Sequence, residues 1–148
     1  MDKREIAPLI IGKLLNIGGM LEKKANALLK PYNLNQQQYS ILFAIHQQGR
    51  VNQKNMVNKL LLEKPHVSKV TKKLRRMGLI DVEVSEEDKR SSWLSITAGG
   101  RETVRKCQEA IHEWNLQWTD TMGQGELDMA LESLTFLQEV FRATTDQP

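Results

Sequence analysis

Residues 64–76 read KPHVSKVTKKLRR, and six of the thirteen are lysine or arginine. Val67, Val70, Leu74 and Met77 recur at helical spacing, so a helix here turns that stripe toward a core. The opposite face then carries His66, Lys69, Lys72, Lys73 and Arg76, with Ser68 at its edge near the N-terminus. Donors clustered at a helix N-terminus suit a nucleic-acid major groove, where base edges and phosphate oxygens both lie within reach. His66, Ser68 and Lys69 are the candidates for base edges; Lys72, Lys73 and Arg76 are the candidates for phosphates. Lys64 is a poor helix cap, and a position at the DNA-facing end accounts for it. A second cationic pair, Lys89 and Arg90, follows Glu87 and Asp88 in EDKRSSWLSITAGG (87–100), with Glu86 just before. It falls at the tip of what reads as a β-hairpin.

The elements that must position these groups are legible from periodicity. Ile10, Leu14, Ile17, Leu21, Ala25 and Leu28 predict a first helix from about residue 6 to residue 30, weakened by Gly18 and Gly19 and ended by Pro31. Asn35 with Gln38 forms a capping-box pattern for a helix reaching Gln48, with Tyr39, Leu42 and Ile45 inward and Gly49 as its C-terminal cap. Asn52 caps a short helix lined by Met56, Val57 and Leu60. Leu61 and Leu62 make a turn, and Pro65 takes the first position of the basic helix, which stops at Gly78. Ile80, Val82 and Val84 alternate with Asp81 and Glu83. Leu94 and Ile96 alternate with Trp93 and Ser95, giving two short strands around a polar loop. Thr97 caps a helix carrying Val104, Cys107, Ile111, Trp114 and Trp118. After the Gly123–Gly125 break, a last helix is expected to bury Leu127, Leu131, Leu134, Leu137 or Gln138, and Phe141.

The order helix, helix, helix, helix, hairpin, helix, helix contains a winged helix-turn-helix. The fold class is mainly α with a small β-hairpin wing, and long N- and C-terminal helices are left to bury apolar stripes against a partner subunit. The chain of 148 residues suits one domain. Within it, 34–100 is the expected DNA-binding lobe, and 1–31 and 101–148 are the expected dimerisation helices.

Charge separates along the chain. Residues 54–76 hold eight lysines and arginines against one glutamate, a net +7, while residues 107–148 hold one arginine against eight acids, a net −7. The middle therefore suits a polyanion and the tail does not. No long apolar run predicts a membrane span or a signal peptide, and a single cysteine excludes an intramolecular disulfide framework, so a cytoplasmic location is expected. No nucleophile elbow, P-loop, dinucleotide fingerprint or paired His/acid constellation is present, which argues against an enzyme. No cofactor is expected. His46, His112 and Glu113 lack metal-ligand spacing, and no metal site is expected. Cys107 lies on an apolar stripe and reads as a buried, unreactive thiol.

LNQQQYSILFAI (34–45), KPHVSKVTKKLRRMGLI (64–80) and EDKRSSWLSITAGG (87–100) together resemble the MarR family of bacterial transcriptional regulators. Asp88 and Arg90 match that family's D-x-R, and Leu94, Ile96, Thr97 and Gly100 match the strand and turn that follow. The resemblance implies that Arg90 enters the minor groove and that Asp88 orients it. A guanidinium on a thin ribbon suits that narrow, strongly negative groove. Lys89 would then touch phosphate. It further implies a homodimer on a pseudopalindromic operator, acting as a repressor released by a small aromatic or anionic effector. Ile10, Leu14, Ile17, Met20, Tyr39 and Trp114 are the candidate walls of that effector site. Leu61 or Leu62, where the family often has a small or polar residue, and His66 and Ser68, where it often has threonine, bear on the operator sequence. A transcriptional activator and a winged-helix module that binds protein are the alternatives. The +7 stretch together with Arg90 favours DNA.

Overall fold

The computed structural model describes residues 1–60, 62–87 and 90–145, with Lys59 as backbone only. Leu61, and the wing candidates Asp88 and Lys89, lie outside the described residues. Six α-helices and three strands are described: α1 (Lys3–Leu29), α2 (Gln36–Gln48), β1 (Arg50–Asn52), α3 (Gln53–Leu60), α4 (Lys64–Arg76), β2 (Ile80–Val84), β3 (Ser92–Ile96), α5 (Ala98–Thr119) and α6 (Gln124–Thr145). The chain divides into two compact units, Met1–Ile111 and the segment from His112 onward.

In the first unit, helix boundaries follow capping chemistry. α1 starts three residues earlier than its apolar repeat suggests, because Asp2 and Glu5 form a reciprocal capping box. A 3-10 turn over Lys30–Tyr32 takes the chain out of α1, with Asn33 in the left-handed region at φ 58°. α2 opens on the expected box: Asn35 accepts from the Gln38 N–H at 2.8 Å, and Gln38 accepts from the Asn35 N–H at 3.0 Å. Gly49 closes it at φ 73°, a value that few side chains tolerate. For α4 the expected start shifts by one residue: Glu63 is the N-cap, without a side-chain cap bond, and Lys64 is already helical. Pro65 still falls in the first turn, where its missing N–H costs nothing.

The wing is more than a hairpin. β1 joins it, giving an antiparallel sheet in the order β1-β3-β2 with Val51 opposite Leu94 and Val82 opposite Leu94 from the other side. Three residues are too few for alternation to reveal β1 in the sequence. Ile80 and Leu94 are buried, while Val84, at the far end of β2, is exposed. The core draws Leu29 from α1, Ile41, Leu42 and Ile45 from α2, Met56 from α3, Val67, Val70 and Leu74 from α4, and Val104 and Cys107 from α5. Tyr39 and Met77, expected inside, are only half-buried at its edge.

α5 is seated on the sheet by one junction. Thr97 caps it, its Oγ1 accepting from the Gly100 N–H at 2.9 Å and donating to the Gly78 carbonyl at 2.7 Å. The Thr97 N–H donates to the Leu79 carbonyl at 3.1 Å. Gly100 is buried so tightly there that a Cβ would stand 2.1 Å from the Leu79 oxygen.

Most of α1 leaves its apolar side exposed. Ile6, Leu9, Leu15, Ile17, Met20 and Leu21 are exposed, Ile10 and Leu14 are half-buried, and only Leu29 is buried. In the second unit, Trp114 and Trp118 pack with ring centroids 6.4 Å apart, and the Trp118 indole donates to Asn115. The expectation that α6 buries its stripe fails for the single chain. Leu131 and Leu134 are 68% and 50% exposed, and Leu127, Leu137 and Phe141 are half-buried.

Candidate nucleic-acid interface

α4 projects from the first unit with its apolar side on the core and its cationic side outward. At 100° per residue, Val67, Val70, Thr71 and Leu74 cluster on one side, and all four are buried. Lys69, Lys72 and Arg76 fall opposite and are exposed. Residues between those poles look sideways, and they do so into two different grooves.

The larger groove, about 680 Å³, lies between α4, α3 and the wing. Lys64, Ser68, Thr71, Lys72 and Arg75 of α4 line it together with Gln53, Lys54, Val57 and Asn58 of α3, Val82 of β2, and Arg90, Ser91 and Ser92 of the wing. Five of these are lysine or arginine, and none is acidic. A concave surface lined by one sign of charge concentrates the attraction for an opposite charge. Arg90 is exposed, as are Glu86 and Glu87 in the same loop.

The smaller groove, about 190 Å³, separates α4 from the start of α2. It is lined by Asn35, Gln37 and Gln38 of α2 and by His66, Lys69, Val70, Lys73 and Arg76 of α4. Lys73 is half-buried, and its Nζ donates to the Gln38 Oε1 at 3.2 Å. His66 is half-buried as well, with its Nε2 shielded and without a hydrogen-bond partner.

The candidates from sequence thus fall into two sets. Lys64, Ser68 and Lys72 share the wing-side groove with Arg90. His66, Lys69, Lys73 and Arg76 share the α2-side groove. Ser68 and His66 do not stand on an open face. Ser68 accepts a 2.9 Å hydrogen bond from Gln53 Nε2, which leaves its hydroxyl hydrogen available for an acceptor. Arg75, Lys54, Asn58 and Gln53 were not among the candidates. Arg75 could have been found from the helical wheel, since Lys64, Ser68 and Arg75 sit at i, i+4 and i+11 on one side. The α3 residues carry no local signal, because their relevance comes from a groove formed by three separate elements.

The six candidate effector-site residues line neither groove. Ile17 and Met20 are exposed; Ile10, Leu14, Tyr39 and Trp114 are half-buried. Tyr39 stacks on Phe43 at 5.8 Å. Burial, reinforced by Cys107, pushes its phenol up to about 12. Cys107 is fully buried, and desolvation pushes its thiol up to about 11, so the unreactive reading holds. Among the described residues, no three His, Cys, Asp or Glu side chains converge as a metal site would require. No described helix is long and apolar enough to cross a membrane.

Comparison with known proteins adds relatives to this geometry. The MarR family model matches residues 34–92, from the approach to α2 through the first residue of β3. The uncharacterized HTH-type transcriptional regulator YwoH of Bacillus subtilis is 31% identical over 90 residues, covering 61% of this chain; the chain spans 63% of that relative's length. Among solved structures, a Staphylococcus aureus MarR in complex with salicylate and kanamycin superimposes with a TM-score of 0.85 at 20% identity, over 94% of each chain. A MepR–DNA complex from S. aureus gives a TM-score of 0.77 at 22% identity, over 86% of this chain and 94% of that one. At these identities, the two structures establish a shared fold.

Proposed function

We propose that the chain, whose residues 34–92 match the MarR family model, is a sequence-specific DNA-binding transcriptional regulator of winged helix-turn-helix type, without enzymatic activity. The observation that carries this reading is the wing-side groove. Lys54, Lys64, Lys72 and Arg75 come from the helix-turn-helix and Arg90 from the wing, and all line one concave surface with no acid among its described lining residues. α4 enters the major groove; Lys64, Ser68, Lys69 and His66 lie at the end nearest the bases, and Lys72, Lys73, Arg75 and Arg76 meet phosphate. Arg90, preceded in the sequence by Asp88 and Lys89, reaches the adjacent minor groove.

The protein acts as a cytoplasmic homodimer. Support comes from the apolar faces of α1 and α6, where Met20 and Leu131 are 66% and 68% exposed, an arrangement suited to burial against a second copy. In this reading 34–100 reads DNA, while 1–31 and 101–148 hold the dimer on a pseudopalindromic operator. The regulator is a repressor released by a small aromatic anion, a class supported by the salicylate bound to the S. aureus structural relative. Ile10, Leu14, Ile17, Met20, Tyr39 and Trp114 are the proposed walls of its site.

Selection from a pool of random and genomic duplexes at near-physiological salt, followed by sequencing, tests the proposal. An enriched inverted repeat is the expected result. Bulk, salt-sensitive binding without enrichment would remove the claim of sequence reading, and no DNA binding at all would leave the protein-binding alternative.

A further inference from the structure

The first turn of α3 touches both halves of the proposed reading head. Asn52, the last residue of β1, uses a single oxygen twice. Its Oδ1 accepts from the Lys54 N–H at 3.0 Å, capping α3, and from the Ser91 hydroxyl at 2.7 Å, reaching the wing. The next residue, Gln53, reaches the other way and donates to Ser68 of α4 at 2.9 Å. Ser91 is buried, directly follows Arg90, and its carbonyl accepts from the Ser85 N–H at 3.1 Å, closing the base of the wing loop. Arg90 itself is exposed. The side chain that fixes the root of the exposed arginine is therefore tied to the same turn that is tied to the recognition helix.

We propose that Asn52, acting through Ser91, is a positioning residue for Arg90: it sets where the wing arginine stands relative to α4 and so which minor-groove positions are read together with the major groove. The inference rests on the DNA-binding reading above. β1 pairs with β3 through only three residues, ending at Asn52 opposite Trp93, and the buried Ser91 hydroxyl bonded to the α3 cap adds a tie beyond that ladder. Neither Asn52 nor Ser91 needs to touch DNA for this role.

The experiment is a double-mutant cycle on the duplex that the wild-type protein selects, read both as affinity and as base preference at each position. Ser91→Ala is expected to weaken binding about fivefold, the worth of one hydrogen bond. It should flatten preference at the same positions that Arg90→Ala flattens, and it should have no further effect in the Arg90→Ala background. Asn52→Gly keeps an accepted cap residue but removes the acceptor. It removes the acceptor of the Ser91 hydroxyl together with the Lys54 cap bond, and its loss of base preference should fall at the same positions. Melting curves of each variant identify a loss of fold. Equal weakening in both backgrounds, or a footprint spread over the major-groove positions, would overturn the proposal, as would wild-type binding by both variants. If the wild-type protein selects no sequence, the DNA-binding reading falls first and this inference with it. If it selects one and Arg90→Ala changes nothing, the positioning inference alone fails.

Discussion

Two adjacent glycines should respond to the same substitution with opposite signs. At Gly100 an added Cβ would lie 2.1 Å from the Leu79 carbonyl oxygen, 2.7 Å from Ile96 Cγ1 and 3.0 Å from the Leu79 carbonyl carbon. The oxygen belongs to the backbone and already accepts from the Thr97 N–H, so it cannot yield without moving the start of β2 or the cap of α5. Overpacking of this kind costs about 3 kcal/mol at the upper end of its usual range. Alanine returns up to about 1 kcal/mol of helix propensity. The net loss for Gly100→Ala is about 2 kcal/mol, which lowers the melting temperature by about 4–8 °C in a chain of this size. At Gly99 the nearest atoms are the Gly78 oxygen at 3.6 Å and Thr97 Oγ1 at 3.7 Å, ordinary contacts. Gly99→Ala should therefore raise the melting temperature by about 2–4 °C. Far-UV circular dichroism melts at one matched protein concentration decide the matter, because association would otherwise shift the midpoint. A Gly100→Ala protein as stable as wild type would refute the packing argument. So would a Gly99→Ala protein that melts below it.

Other outcomes follow from the interface and the core. Arg90→Ala should weaken operator binding about tenfold or more, the scale of one charge-assisted contact, with the melting curve and the sedimenting mass unchanged; equal affinity at matched salt would count against a wing contact. Lys72→Ala and Arg75→Ala should each reduce the slope of log affinity against log salt by about 0.9, measured by fluorescence anisotropy, if each neutralises one phosphate. Cys107 is neutral in the fold, with its pKa moved from 9.0 to about 11, so its contribution to stability is complete below pH 9.0 and disappears as pH rises toward 11. Denaturant midpoints across that interval should fall, with Tyr39 acting in the same direction from 10.0 to about 12. The Cys107 thiol should react with a disulfide reagent only as fast as the protein opens.

Much of the winged helix-turn-helix was legible in the sequence, because short-range chemistry determines it. The Asn35–Gln38 box, the proline in the first turn of α4, the alternation in β2 and the Thr97 cap each act within four residues, and each appears in the structure. What escaped depends on contacts across the chain. β1 exists because Val51 and its neighbours pair with β3, more than forty residues later. Arg75 joins the wing-side groove because α3 and the wing enclose the side of α4 on which it stands. The half-buried state of His66 has the same origin, for α2 closes over a flank that the helical stripe alone leaves open. Periodicity predicts a buried stripe for α6, yet it says only that a face is apolar, not which surface covers it.

Trp93 stands in the central strand of the wing, with the Arg50 guanidinium 4.5 Å from its ring centroid and Arg50 also paired with Glu83 at 3.5 Å. The chain's two other tryptophans, Trp114 and Trp118, belong to the unit that begins at His112. The strap that laces three strands together therefore also supplies an optical label. With Trp114 and Trp118 replaced by phenylalanine, the protein would carry one emitter, located in the wing. A cation over an indole face is sensitive to small changes in distance. Emission from that single ring would follow the wing as DNA is added, with no dye attached.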